Sequence, residues 1–195
     1  MCSTVGHYHY LHGIALMQAG DMEAAVEPLR EAERLEPNRP PTLIALGTAL
    51  VDRGSYAEAK PCLLRGLDLD PESVDAASAL AEAEEGLGEI REAEAHARRA
   101  LARASAHATA NLVMGMVLLN RERYAEARDA LVKAVSANPA SPKAHYQLSL
   151  AFARLNDETS ARTHLELYHE MLKEREERVK AVRAVTGLSL GGMQP

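Results

Sequence analysis

Three prolines in this chain keep a fixed interval. Pro37 in LEPN and Pro71 in LDPE lie 34 residues apart, and Pro139 in ANPA lies 68 further on, with Ser105 at the intermediate place. A sequence that returns to itself at this interval is committed to stacking like units, each covering its neighbour, rather than to closing one shared centre.

Aligned on that interval, other columns fall into line. One reads Gly13, Gly47, Ala81, Gly115 and Ser149; a second reads Ala25, Ala59, Ala93, Ala127 and Ala161; a third reads Ala32, Gly66, Ala100, Ala134 and Tyr168. Large apolar residues recur at Leu16, Leu50, Leu118 and Phe152, and again at Leu29, Leu63, Leu131 and Leu165. Each unit therefore reads as two helices joined by a short turn: AGD (19–21), RGS (53–55), LGE (87–89), RER (121–123) and LND (155–157). Two helices approach to about 8 Å only where the contact residue is small, so Gly and Ala mark the crossings and Leu fills the groove beside them. Proline after the second helix ends it, and proline in RPP (39–41) and SP (141–142) opens the next.

Composition agrees. Hydrophobic residues make up 47 % and aromatics only 4 %, with no Trp and one Phe, which suits closely packed helices better than a sheet. The net charge of −6 argues against a general nucleic-acid binder. Cys2 and Cys62 form no metal or redox spacing and read as free thiols. No apolar run is long enough to span a bilayer, and the first ten residues lack the basic start and apolar middle of a signal peptide, so a cytoplasmic protein is expected.

The small–Leu pairs Gly13/Leu16, Gly47/Leu50 and Gly115/Leu118, the alanine column, Tyr56 and Tyr124 early in second helices and the spaced prolines together resemble the tetratricopeptide repeat family. The resemblance implies an all-α, right-handed superhelical solenoid of about five helix-turn-helix repeats, near 6–39, 40–73, 74–107, 108–141 and 142–175. The last helix, read as 158–186, forms an extended C-terminal cap, with Gly187 as its stop, and 187–195 is a flexible tail; 1–186 is then one array. Leu165, Tyr168, Leu172, Val179 and Val182 form a stripe on that helix, interrupted by Arg175. Repeat three departs most from the pattern, at Ala81, Glu84, Ala97 and Ser105, and is expected to be the most loosely packed.

In this family the first helices line a concave groove. Carried onto this chain, the groove positions are Tyr10, Ile14 and Met17; Ile44, Thr48 and Val51; Glu82; Leu112, Met116 and Leu119; and Lys143, Tyr146, Leu150 and Arg154. That is an apolar groove with an acidic middle and a basic edge at Lys143 and Arg154. The helices LIALGTALV (43–51) and NLVMGMVLLN (111–120) are apolar nearly all round, more than the core columns require. The surplus either receives a partner or packs inside the superhelix, against the chain's own tail or last helix. The clamp with which one subset of the family holds acidic chaperone termini is absent: its places carry Tyr10, Ile14, Ala45, Asp75 and Ala79 in units one to three, and only Lys143 fits in units three to five.

The crowded segment HYHYLHGIAL (7–16) raises a metal site, but His9 and His12 fall in packing columns shared with Leu43 and Leu46, and His7 lies on another side of the helix. Half-buried packing of His9 and His12 is expected. No nucleophile elbow, phosphate loop, HExxH or CxxC is present, and the connections are too short for a catalytic loop. The expectation is a non-catalytic interaction module or scaffold, without cofactor or metal, that binds a protein or peptide through an apolar or amphipathic segment. The alternatives are a docking domain of a larger enzyme or membrane-associated protein, and a homo-oligomer joined through the C-terminal helix or a terminal repeat.

Overall fold

The computed structural model describes residues 2–186, and within them every regular element is an α-helix. The ten are α1 (Cys2–Gln18), α2 (Met22–Leu35), α3 (Pro40–Asp52), α4 (Tyr56–Leu69), α5 (Val74–Gly86), α6 (Ile90–Arg103), α7 (Ala108–Asn120), α8 (Tyr124–Ala137), α9 (Pro142–Arg154) and α10 (Glu158–Thr186). From α3 onward each odd helix starts 34 residues after the last, and so does each even helix from α2. The expected stop at Gly187 and the tail 187–195 lie outside the described residues.

The turn inside each unit is the same device five times. Gly20, Gly54, Gly88, Glu122 and Asn156 all have positive φ, between 59° and 83°. In the first, the Gly20 N–H donates to the Met17 carbonyl and the Asp21 N–H to Leu16; the other four repeat both bonds in register. This paired closure satisfies the last carbonyls of the odd helix. Units four and five adopt it without glycine, which sequence reading of RER and LND did not reveal. The following helix begins on a side-chain cap in units one and five, where Asp21 accepts from the Ala24 N–H and Asp157 from the Ser160 N–H.

Close crossing holds each pair together. A Cβ placed on Gly13, Gly47 or Gly115 would sit 2.5, 2.4 or 2.4 Å from the Cγ of Leu29, Leu63 or Leu131, all three leucines being fully buried. Leucine drives into the space that glycine vacates. Unit three uses another pairing: Ala81 and Ala97 stand where the other pairs have Gly and Leu, and both are fully buried in one cluster with Val113 and Val117. Its Glu84, standing where others have Leu, is buried at 2 % exposure and accepts a 2.7 Å hydrogen bond from His96 Nδ1.

Consecutive odd helices touch one another (α3 with α5, α5 with α7, α7 with α9), whereas no two even helices meet among the described residues. The odd layer is thus the inner, compressed side of a helical-repeat solenoid and the even layer the outer one. Outer helices are joined instead by ion pairs between units, such as Arg30–Glu58 at 2.5 Å and Arg65–Glu33 at 2.8 Å. Two buried polar residues sew inner helices to the turns that precede them: Asn111 Nδ2 donates to the Ser105 carbonyl at 3.0 Å and His145 Nε2 to the Pro139 carbonyl at 3.1 Å.

α1 packs on α2 and touches α3, and its remaining face is open. Val5, Tyr8 and Leu11 are exposed there, and so is His12, although its counterparts Leu46, Leu80 and Leu148 are buried. The expected half-burial holds for His9 but not for His12, because its column is covered by the helix before it in later units. At the other end, Tyr168 replaces the small residue of its column and meets the Tyr146 ring at 5.2 Å.

Two predictions follow from this packing. Gly47→Ala should cost about 1–3 kcal/mol despite alanine's better helix propensity. Leu63→Ala alone should cost about 2–5 kcal/mol, and the double variant should cost less than the sum by about 1 kcal/mol or more, as read by chemical denaturation. The second concerns the α9–α10 joint, where His164 Nδ1 donates to His145 Nδ1 at 3.0 Å and stacks on Phe152. Burial, and then the neighbouring His145, hold the His164 imidazole below the usual histidine range. The folded chain thus prefers the neutral ring, and its contribution is complete above pH of about 6.5 and is lost as pH falls through the lowered folded value. Thermal melting should drop between about pH 7 and pH 5.5, and the drop should be smaller in His164→Gln.

Candidate functional site

The inner helices enclose an open cavity of about 930 Å³. α1 and α3 give it an apolar wall of Tyr10, Ile14, Met17, Ile44, Thr48 and Val51; α5 and α7 add Glu82 and Leu112; α9 adds Lys143 and Tyr146. A second hollow of about 340 Å³ continues along α7 and α9, lined by Met116, Leu119, Leu150, Arg154 and Glu85 among others. The fourteen sequence-selected positions thus fall on one face, ten around the larger hollow and four around the smaller.

Their surroundings differ. Tyr146 and Leu150 are exposed at 39 % and 37 %, but Leu112, Met116 and Val51 are buried at 5, 7 and 4 %. Leu112 and Met116 pack with Leu131, Ala144 and Leu148 in the core of units four and five. The surplus of apolar residues on α3 and α7 therefore has two destinations: part of it is core shared with the next unit, and part faces the hollow.

The basic edge is also changed. Lys143 Nζ reaches 61 residues back to donate to Glu82 at 2.7 Å, above the Tyr56 ring. Burial works against this ammonium, but the Glu82 carboxylate outweighs it and holds Lys143 above the usual lysine range. Its charge is therefore already engaged, and only Arg154, which lies over the Tyr124 ring at 6.0 Å, remains as that edge. Glu85 stands in the opposite situation. Its carboxylate has no hydrogen bond or ion pair among the described residues; burial pushes it up, Lys143 pulls it partly back and Glu82 adds to the rise.

One wall is the chain's own last helix, an occupant that the sequence left open. α10 leaves α9 and passes along the hollow, contributing Tyr168, Leu172 and Arg175 to its lining. Arg175 Nη2 donates to Asp52 Oδ2 at 2.6 Å and its Nε to the Gly20 carbonyl at 3.1 Å, so the last helix is tied to the first two units. The residue that interrupts the apolar stripe is the one that makes the tie. A basic residue between apolar ones was the available signal; which acid it meets depends on the curvature of the whole array.

The three leading histidines go separate ways. His7 accepts from Arg39 at 3.0 Å and stacks with Tyr10, while His9 and His12 lie against the Tyr8 ring. No group of three His, Cys, Asp or Glu with metal-binding geometry occurs among the described residues. No helix among them is long and apolar enough to cross a membrane.

Models of the tetratricopeptide repeat match residues 16–83, 79–142 and 112–170. Among curated proteins none matches the chain significantly. Among solved structures it is similar to TTC0263, a thermophilic TPR protein of Thermus thermophilus, at TM-score 0.72 and 17 % identity, covering 94 % of this chain and 100 % of that one. It is also similar to MamA of Desulfovibrio magneticus RS-1 at TM-score 0.58 and 24 % identity, covering 87 % and 96 %. These likenesses concern the fold, and the repeat matches run through most of the helices described above. The chain belongs to the tetratricopeptide repeat family, a family of protein-interaction scaffolds.

Proposed function

We propose that this protein is a non-catalytic scaffold that holds a segment of another protein in the hollow formed by α1, α3, α5, α7 and α9. The observation that carries the reading is the exposure of apolar and aromatic side chains there, Tyr146 and Leu150 above all, on an inner surface whose structural needs are already met by buried Leu112, Leu131 and Leu148. A concave, mostly apolar surface with a few polar groups is what a protein partner's anchor residues require. The curvature presents five helices to one extended or helical segment.

A second reading has an observation of its own. The open face of α1 exposes Val5, Tyr8 and Leu11 at 48, 65 and 52 %, and a second copy of the chain could cover it.

The groove reading is tested with Tyr146→Glu/Leu150→Glu. Both positions are exposed, so the variant should melt within a few degrees of the natural protein. In a paired pull-down it should lose the partners that the natural protein retains, whereas Tyr8→Glu/Leu11→Glu should retain them. If the partners survive the groove change, the reading is wrong. If instead the α1 variant alone alters the particle's size over a concentration series, the second reading is correct.

A further inference from the structure

The charges around the two hollows do not balance. Asp52, Asp70, Asp75, Glu82, Glu85 and Glu122 stand against Lys143, Arg154 and Arg175. Two of the three cations are already engaged within the chain, Lys143 by Glu82 at 2.7 Å and Arg175 by Asp52 at 2.6 Å. The remaining excess is negative, and one member of it is unusually placed. Glu85 projects from the last turn of α5 into the smaller hollow, which Met116, Leu119, Leu150 and also Glu122 and Arg154 line; it is half-buried and its carboxylate has no hydrogen bond or ion pair among the described residues, Arg154 included. An unpaired carboxylate against apolar side chains is costly to hold, and an incoming cation removes that cost.

We propose that the segment held in the groove is cationic and amphipathic, setting a lysine or arginine against Glu85 and its apolar side chains along Met116, Leu119 and Leu150. This rests on the groove reading above and adds the partner's charge to it. An acidic segment would meet the excess of like charge around the two hollows and would find Lys143 engaged. A purely apolar one would bury Glu85 further while bringing no charge of its own to it. Burial pushes the Glu85 carboxyl up and Lys143, already engaged by Glu82, pulls it only partly back, which leaves room for further counter-charge.

The test uses three fluorescent peptides of about sixteen residues that form the same amphipathic helix, with lysine, glutamine or glutamate on the polar face. Binding is followed by anisotropy at about 50 and 300 mM salt to the natural protein, Glu85→Gln, Glu27→Gln and Tyr146→Glu/Leu150→Glu. Glu27 lies on the outer layer, its side chain 85 % exposed, and controls for loss of one negative charge anywhere. The lysine peptide should bind at least about tenfold tighter than the other two, and Glu85→Gln should remove most of that advantage while Glu27→Gln leaves it unchanged. Glu85→Gln should melt no lower than the natural protein, which shows that any loss of binding is not a loss of fold. Equal weakening by the two neutralisations, or by neither, overturns the assignment to Glu85. If the glutamine or glutamate peptide binds as well as the lysine one and the Tyr146/Leu150 variant abolishes it, the groove stands and the charge assignment falls. Binding by none of the three peptides overturns both.

Discussion

Everything in this molecule depends on a leucine entering the space left by a missing side chain. At Gly13, Gly47 and Gly115 the two helices of a unit come so close that a single added carbon would overlap the leucine opposite. That closeness fixes the crossing of three of the five pairs, and the pairs with Ala81 and Ser149 in the same column stack between or after them. The curvature follows from the stack: inner helices touch along the concave side while outer ones are spread apart and linked by ion pairs. The groove is a consequence of this geometry rather than a separate construction.

Polar residues inside the array have particular duties. Asn111 and His145 occupy one column and bond the turn carbonyls of Ser105 and Pro139, so the turn that lacks proline is held by the same kind of contact as one that has it. Glu84 is buried only because His96 faces it. Lys143 and Arg175 do something different. They join residues 61 and 123 apart in the chain, across the hollow rather than along the stack, and so define its walls.

Much of the fold was legible because it is local and repeated. A period of 34 residues places helices, crossings and turns without knowledge of the whole. What escaped is what the period does not carry. Leu112 and Met116 look like groove residues on a helical wheel, yet the following unit covers them; Tyr146 and Leu150, at corresponding faces of α9, have only α10 beside them and stay exposed. His12 shares a column with buried leucines but has no preceding helix against it. Arg175 reads as a fault in an apolar stripe until the superhelix brings Asp52 within 2.6 Å of it. Column membership predicts side-chain size; exposure also depends on which neighbours exist, and charge pairing on the radius of the curve.

The exchange of Gly–Leu for Ala–Ala at residues 81 and 97 has a historical implication. The alanine pair carries fewer side-chain carbons than Gly–Leu, and the routes between the two arrangements are unequal. Enlarging the glycine first forces atoms to overlap; shrinking the leucine first leaves a void, which a helix pair tolerates better when units on both sides brace it. The step through the empty space is therefore the easier of the two, and a unit braced on both sides is the one that can take it.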